Sequence, residues 1–425
     1  MAKSLMDYLD LRKKHTPRNG ARRAKLFSLA GVVGLLLVLA PPPLASAHGE
    51  QSQQPFERTS TVAFYDTQFS TDRLDVGQEL TITGTLRIMN SWPDHTIAPP
   101  DLGYLTVNTP GPVFMVEERE MSGMFTPQSV KVSKGGIYPY KIVLKARIPG
   151  TWHVHPAMAM EGTGTLVGEG KYITINDAGT FTEPQTLSDG RNVDLASYGL
   201  GRVVIWHVLG LLVAVAYAAF WLRKSLLQRA AVVNAGGGAT LVTPKERNVS
   251  IGIAIVALVL GLGGYAYAQV FDGPHIPPQV ARLSPVPQTP SGLARQLETQ
   301  VQSAVFQEKT GTLVLKVNVD NKSNSPVRLD RLQFADYVVT VTDGAKPDTD
   351  GVATVSPSGP IPPGGSSNLT VELDARSLLS RNLLPTNDAQ IRVTGLMFFQ
   401  DAAGQTSTSE INELTSGVLP EYGTQ

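Results

Sequence analysis

The stretch Leu144-Lys145-Ala146-Arg147-Ile148-Pro149-Gly150-Thr151-Trp152-His153-Val154-His155-Pro156 contains two strands and the turn between them. Its upstream arm belongs to a run in which Tyr140, Ile142, Leu144, Ala146 and Ile148 alternate with Lys141, Val143, Lys145 and Arg147. A period of two with one apolar side marks a half-buried strand. Pro149-Gly150 interrupts it, because proline has no amide to give to a ladder and glycine reaches backbone angles closed to other residues. On the downstream arm, residues two apart point the same way. Trp152 and Val154 are therefore expected to face a core, with His153 and His155 projecting together from the opposite face. A sheet would hold these two imidazoles at fixed spacing with little ordering cost. Imidazole suits copper, zinc, iron or nickel, although the same pattern also fits a solvated sheet face.

Outward from this stretch the period of two persists. Leu80, Ile82, Leu86 and Ile88 alternate with Thr81, Thr83, Thr85 and Arg87. Turn residues stand between the runs at Asp75-Val76-Gly77, Asn108-Thr109-Pro110-Gly111 and Lys134-Gly135-Gly136. Residues 48–175 thus read as one β-sandwich, followed by a linker over 176–202. Residues 297–425 repeat the theme: Leu313, Leu315, Val317 and Val319 alternate with Thr312, Lys316 and Asn318, and Pro362-Pro363-Gly364-Gly365 precedes a strand at Asn368 to Leu373. Short strands with regular turn signals indicate a second sandwich. Before it, prolines at 274, 277, 278, 285, 287 and 290 make 272–296 an extended spacer, expected to run over a partner's surface.

Three apolar segments explain why only 17% of the chain is charged, against about 25% in soluble proteins. Leu26 to Ala40 follows a basic stretch and precedes Ala45-Ser46-Ala47, the parts of a secretory signal peptide over 1–47. Cleavage after Ala47 makes His48 the first residue of the mature chain. Segments 203–222 and 249–271 are each long enough to cross a hydrocarbon core of about 30 Å. Aromatic residues such as Trp206, Trp221 and Tyr267 lie towards their ends, where amphipathic rings prefer the interface. The loop 223–248 carries Arg223, Lys224, Arg229, Lys245 and Arg247 against Glu246. The positive-inside rule places that loop in the cytoplasm and both sandwiches outside it, in a multi-pass protein of the cell or intracytoplasmic membrane.

Lysine plus arginine and aspartate plus glutamate both number 36, so there is no basic excess to suggest nucleic acid. The chain has no cysteine. Zinc-thiolate, iron–sulfur and blue-copper sites are therefore excluded, and any metal must be held by nitrogen and oxygen. A mature N-terminal His48 offers both its α-amine and its ring, so His48, His153 and His155 together supply three imidazoles and an amine. An all-nitrogen set suits Cu(II), with zinc as the competing ion. His95 sits in a loop after Trp92-Pro93-Asp94, His275 in the proline-rich spacer, and His207 near the outer end of the first membrane segment.

Several motifs resemble the B subunit of the copper membrane monooxygenases, the family of particulate methane, ammonia and hydrocarbon monooxygenases. They are His48-Gly49-Glu50, Phe64-Tyr65-Asp66, Trp92-Pro93, Pro110-Gly111-Pro112-Val113-Phe114 and the quoted stretch from Leu144 to His155. Trp206-His207 continues the resemblance, and Asn324 to Leu329 and Phe398-Phe399 carry it more loosely. The resemblance implies a mainly β chain with two cupredoxin-like sandwiches outside the cytoplasm, joined by a helical membrane hairpin. It implies copper on His48, His153 and His155, A and C membrane subunits as partners in a trimer of heterotrimers, and hydroxylation of methane, a short alkane or ammonia with O2. It also places an oxygen-activating copper in the C subunit and assigns no catalytic residue to this chain.

The sequence departs from that pattern at a second histidine pair found in some methane monooxygenases. Ala63 and Arg87 occupy the matching positions, so that further copper site is expected to be missing. Glu410 stands where a supporting glutamine is found, and Glu50 is a candidate to support the ligand shell. A membrane-anchored copper storage or delivery protein is the alternative reading, although it would not need a second sandwich or subunit-facing helices.

Overall fold

The computed structural model describes residues 55–222, 225–272, 286–287, 296–341, 350–384 and 391–415. The signal-peptide segment, His48, Glu50 and His275 lie outside the described residues. A short helix α1 (Pro55–Ser60) leads into the first domain. One of its sheets runs β1 (Val62–Phe69), β3 (Glu79–Ile88), β8 (Ile137–Ala146), β5 (Phe114–Met121), β6 (Met124–Phe125). The facing sheet runs β2 (Arg73–Asp75), β11 (Lys171–Asn176), β9 (Gly150–Met160), β4 (Leu102–Asn108), β7 (Val130–Lys131), with β10 (Gly164–Val167) also paired to β9.

The core of this sandwich follows the alternation in the sequence. Leu80 pairs with Leu144 and Ile82 with Ile142 across β3 and β8, and all four are fully buried with Val154, Met158 and Ile173 of the other sheet. Each such side chain contributes roughly 1.5–3 kcal/mol on burial. The turn between β8 and β9 depends on Gly150, whose φ is +136° and whose missing Cβ would lie 2.8 Å from the Trp152 ring. Trp152 Nε1 donates to the Ile148 carbonyl at 3.0 Å and closes the turn. Val286 of the proline-rich spacer is buried in this same core. At that point the spacer runs against its own chain rather than a partner, because an apolar side chain gains more by filling a core than by lying on a surface.

A small hairpin, β12 (Pro184–Thr186) with β13 (Asn192–Asp194), precedes the membrane segments. These are α2 (Leu200–Leu222) and α4 (Pro244–Tyr267), the latter extended by a π turn to Asp272. Both are long and apolar enough to span a membrane, and neither buries its spanning surface within the chain. Between them lies α3 (Leu226–Asn234). Glu246, the acid among the basic residues of this loop, is drawn into a capping box with Thr243 at the start of α4. That cap starts α4 before the first apolar residue and leaves the loop's exposed charge positive.

The C-terminal domain builds its two layers from one eight-stranded sheet. Its order is β14 (Leu297–Gln307), β15 (Thr312–Asn321), β19 (Ser366–Asp374), β18 (Gly351–Ser356), β17 (Tyr337–Val341), β16 (Val327–Phe334), β20 (Arg392–Asp401), β21 (Thr406–Leu414). The end strands meet where Ala304 bridges Thr415. The sheet thus curls around a core that includes Leu313, Leu315, Val371 and Phe399.

The two β domains are joined directly. Ala63, Tyr65 and Met89 of the first form a buried cluster with Leu396 and Phe398 of the second. Beside it the Arg87 guanidinium meets the Glu410 carboxylate at 2.9 Å, with both side chains about 10% exposed or less. Glu410 also accepts from the Asn90 and Ser91 amides, and Arg87 also donates to Thr408. Burial pushes the Tyr65 hydroxyl up to about 12, against the opposing effect of its hydrogen bond with Thr408.

Candidate metal centre

His153 and His155 lie on β9, between β11 on one side and β4 on the other. Tyr172 is the cross-strand partner of His153, and Asn108 that of His155. The alternation holds on the inner face, where Val154 is fully buried and Trp152 packs against the core. The outer face differs from the sequence expectation, because His155 does not project into solvent and is only 2% exposed. The turn between β10 and β11 folds over it. An added Cβ at Gly170 would lie 2.3 Å from two atoms of the His155 ring, so only glycine lets the chain pass this close.

That covering turn sets the state of His155. Its Nδ1 lies 2.9 Å from the Gly168 carbonyl oxygen, which can only accept. Nδ1 therefore carries the proton and Nε2 is the donor nitrogen available to a metal. Nε2 faces His153 Nδ1 at 2.9 Å, with the rings 80° apart. Two cis ligands held roughly 2.0–2.1 Å from a shared ion lie roughly 2.8–3.0 Å from each other. The imidazole nitrogens thus already have the separation of adjacent ligands. Tyr172, 59% exposed, stacks on His153 with centroids 4.4 Å apart and a 25° tilt. Such contacts contribute about 0.5–1.5 kcal/mol and fix the ring's orientation.

Among the described residues no group of three or more His, Cys, Asp or Glu converges. The third expected ligand, His48, lies outside them. His95 is exposed in its loop. His207 directs Nδ1 to the Val203 carbonyl one helical turn back, at 2.8 Å. Ala63 and Arg87 are direct cross-strand partners, and Arg87 is engaged by Glu410. Sequence reasoning missed Gly168, Gly170 and Tyr172. The G-x-G spacing of Gly168-Glu169-Gly170 after a hairpin was the available signal, since glycine in a strand flank often marks close backbone approach.

A family model described as that of a monooxygenase B-subunit protein matches residues 49–422. The particulate methane monooxygenase alpha subunit of Methylococcus capsulatus (Bath) is 31% identical over 407 residues, covering 92% of this chain and 97% of that one. Among solved structures, the cupredoxin domain of amoB from Nitrosocaldus yellowstonii covers 29% of this chain and 92% of that domain, at 21% identity and a TM-score of 0.23. The sporulation control protein Spo0M of Bacillus subtilis covers 28% of this chain and 50% of its own length, at 12% identity and a TM-score of 0.17.

Proposed function

The chain belongs to the monooxygenase B-subunit family, and from there we propose that it is the copper-binding member of a membrane complex that hydroxylates methane, a short alkane or ammonia with O2. The observation that carries the copper reading is the 2.9 Å approach of His155 Nε2 to His153 Nδ1, with the tautomer of His155 set by Gly168. The donor chemistry fits: the chain has no thiol, and imidazole and amine nitrogens suit copper. His48, as the first residue of the mature chain, would add its amine and ring to the pair. Bound copper would supply a one-electron redox centre. This chain's own residues hold the ligand nitrogens, exclude water from the His155 side, and fix the ring planes. Oxygen activation belongs to the complex, and oxidation of substrate by a copper-depleted His155→Ala complex separates a structural role of this ion from a catalytic one.

The membrane helices support an assembled state. Their spanning surfaces are left uncovered within the chain, which fits a setting in lipid with partner helices packed beside them. Purification from native membranes should bring this chain out with two helical membrane subunits, and intact mass should place His48 at its N-terminus. A chain that elutes alone, or with a transporter, would support the storage or delivery reading instead. A chain beginning at Met1 or Ala45 would remove the amine ligand and sink the proposed geometry.

Sidedness follows from charge. With Glu246 drawn into its helix cap, Lys245 and Arg247 stay exposed at the α4 end of the loop between α2 and α4, which favours the cytoplasmic side. Protease added outside intact spheroplasts should reach both β domains and spare the loop. Cleavage at Arg229 under those conditions would reverse the topology.

A further inference from the structure

The covering turn over His155 is itself held from behind. An added Cβ at Gly168 would lie 2.6 Å from Cγ of Phe64, so the Phe64 ring rests directly on the Gly168 backbone. The same short segment carries the Gly168 carbonyl that fixes His155 Nδ1, and Gly170, where an added Cβ would lie 2.3 Å from the ring. The Gly168 amide is tied to the Pro156 carbonyl at 2.8 Å. Residues 168–170 therefore fill the gap between a phenyl ring and an imidazole. Close-packed interiors transmit displacement rather than absorb it.

Phe64 is positioned by the other β domain. Gln333, on β16 and only 6% exposed, donates through Nε2 to the Phe64 carbonyl at 2.6 Å and to the Ala335 carbonyl at 2.7 Å. Two residues away on the same strand, Arg331 reaches Asp66 at 2.5 Å. Asp66 has φ +54° and lies at an irregularity in β1, where the register shifts between Tyr65 and Gln68. β1 departs from its ladder here, and β16 holds it just before the break at Phe64 and within it at Asp66. An edge of the ring meets Tyr140 at 5.6 Å and 84°, which limits its movement within the first core.

We infer that Gln333 is a positioning residue for the candidate metal centre, acting through Phe64 and Gly168 on the His155 imidazole. This inference rests on the copper reading of His153 and His155. It gives the C-terminal domain, which contributes no ligand, a role in ligand geometry. Hydrogen-bonded partners of metal ligands typically change affinity 10–100-fold when lost. Gln333 stands further back, and its loss should weaken copper retention by about tenfold or slightly less.

The test uses the full complex in native membranes, with copper as the probe. Its readouts are the nitrogen hyperfine pattern of the Cu(II) resonance and the copper retained against a chelator. Gln333→Leu removes the two hydrogen bonds, and Gly168→Ala pushes on the same segment from within. Both should alter the hyperfine pattern, and the double variant should change it no more than the stronger single one, as for residues acting through one contact chain. Arg58→Ala is the control: it breaks a different inter-domain contact, to Asp336 at 2.8 Å, and should leave the resonance as it is. An equal change in Arg58→Ala would show general loosening of the domain interface and overturn the positioning role. So would an unchanged resonance in Gln333→Leu while His155→Ala abolishes it. A resonance indifferent to His155→Ala would remove the copper reading, and this inference with it.

Discussion

His155→Ala should release copper from this chain, with affinity lowered at least about a hundredfold, beyond the range for loss of a supporting hydrogen bond. The substitution deletes a buried donor nitrogen whose tautomer is already set by the Gly168 carbonyl. His153→Ala should act in the same direction, since its Nδ1 is the other half of the 2.9 Å pair. His95→Ala should bind copper like the wild type, because that residue is exposed in a loop. The measurement is Cu(II) titration of copper-stripped membranes followed by electron paramagnetic resonance. One tight equivalent in this chain, with nitrogen hyperfine structure, is expected for the wild type. Two tight equivalents assigned to this chain, or unchanged binding in His155→Ala, would show the ligand assignment to be wrong. If His155→Ala complexes lose this copper yet still oxidise substrate, the ion is structural and the chemistry belongs to a partner.

The second large effect is mechanical. Glu410→Ala should loosen the junction between the two β domains by about 3–5 kcal/mol, as when one partner of a buried ion pair is removed. The carboxylate accepts from Arg87 Nε, from the Asn90 amide and side chain, and from the Ser91 amide. Its removal leaves the buried Arg87 guanidinium without its counter-charge beside Thr408 and the cluster of Tyr65 and Phe398. In hydrogen–deuterium exchange this should appear as amides of β21 exchanging about a hundred- to a few thousandfold faster. The double replacement Arg87→Met with Glu410→Leu should recover most of the protection, because an apolar pair of similar volume avoids the buried charge. Unchanged exchange in Glu410→Ala would mean that the apolar cluster holds the domains without the ion pair.

Ala63 and Arg87 face each other across β1 and β3, and Glu410 closes over Arg87 from the second domain. A methyl group and a guanidinium cannot donate lone pairs to a metal, whereas a guanidinium paired with a carboxylate can clamp two sheets. In this chain Arg87 and Glu410 use the position for inter-domain bonding.

How much of this was readable in advance depended on the range of the interaction. Strand period, turn residues and apolar length are local, so β3, β8, β15, β19 and the two membrane helices could be read from spacing alone. The H-x-H pair on β9 could be read for the same reason, and the inward direction of Val154 followed from the period of two. Burial of His155 could not, because it depends on a turn from later in the chain folding over the sheet's outer face, which only Gly168 and Gly170 permit. Nor could the curling of the C-terminal sheet until β14 meets β21, the seating of Val286 in the first core, or the pairing of Arg87 with Glu410. Each joins residues far apart in the chain, and no periodicity records which distant side chain will fill a gap. Local spacing was enough to single out the two imidazoles and the strand that carries them. Which nitrogen of His155 carries the proton, and what holds the ring still, came from the folded chain, because a tautomer is set by its acceptor and that acceptor lies elsewhere in the fold.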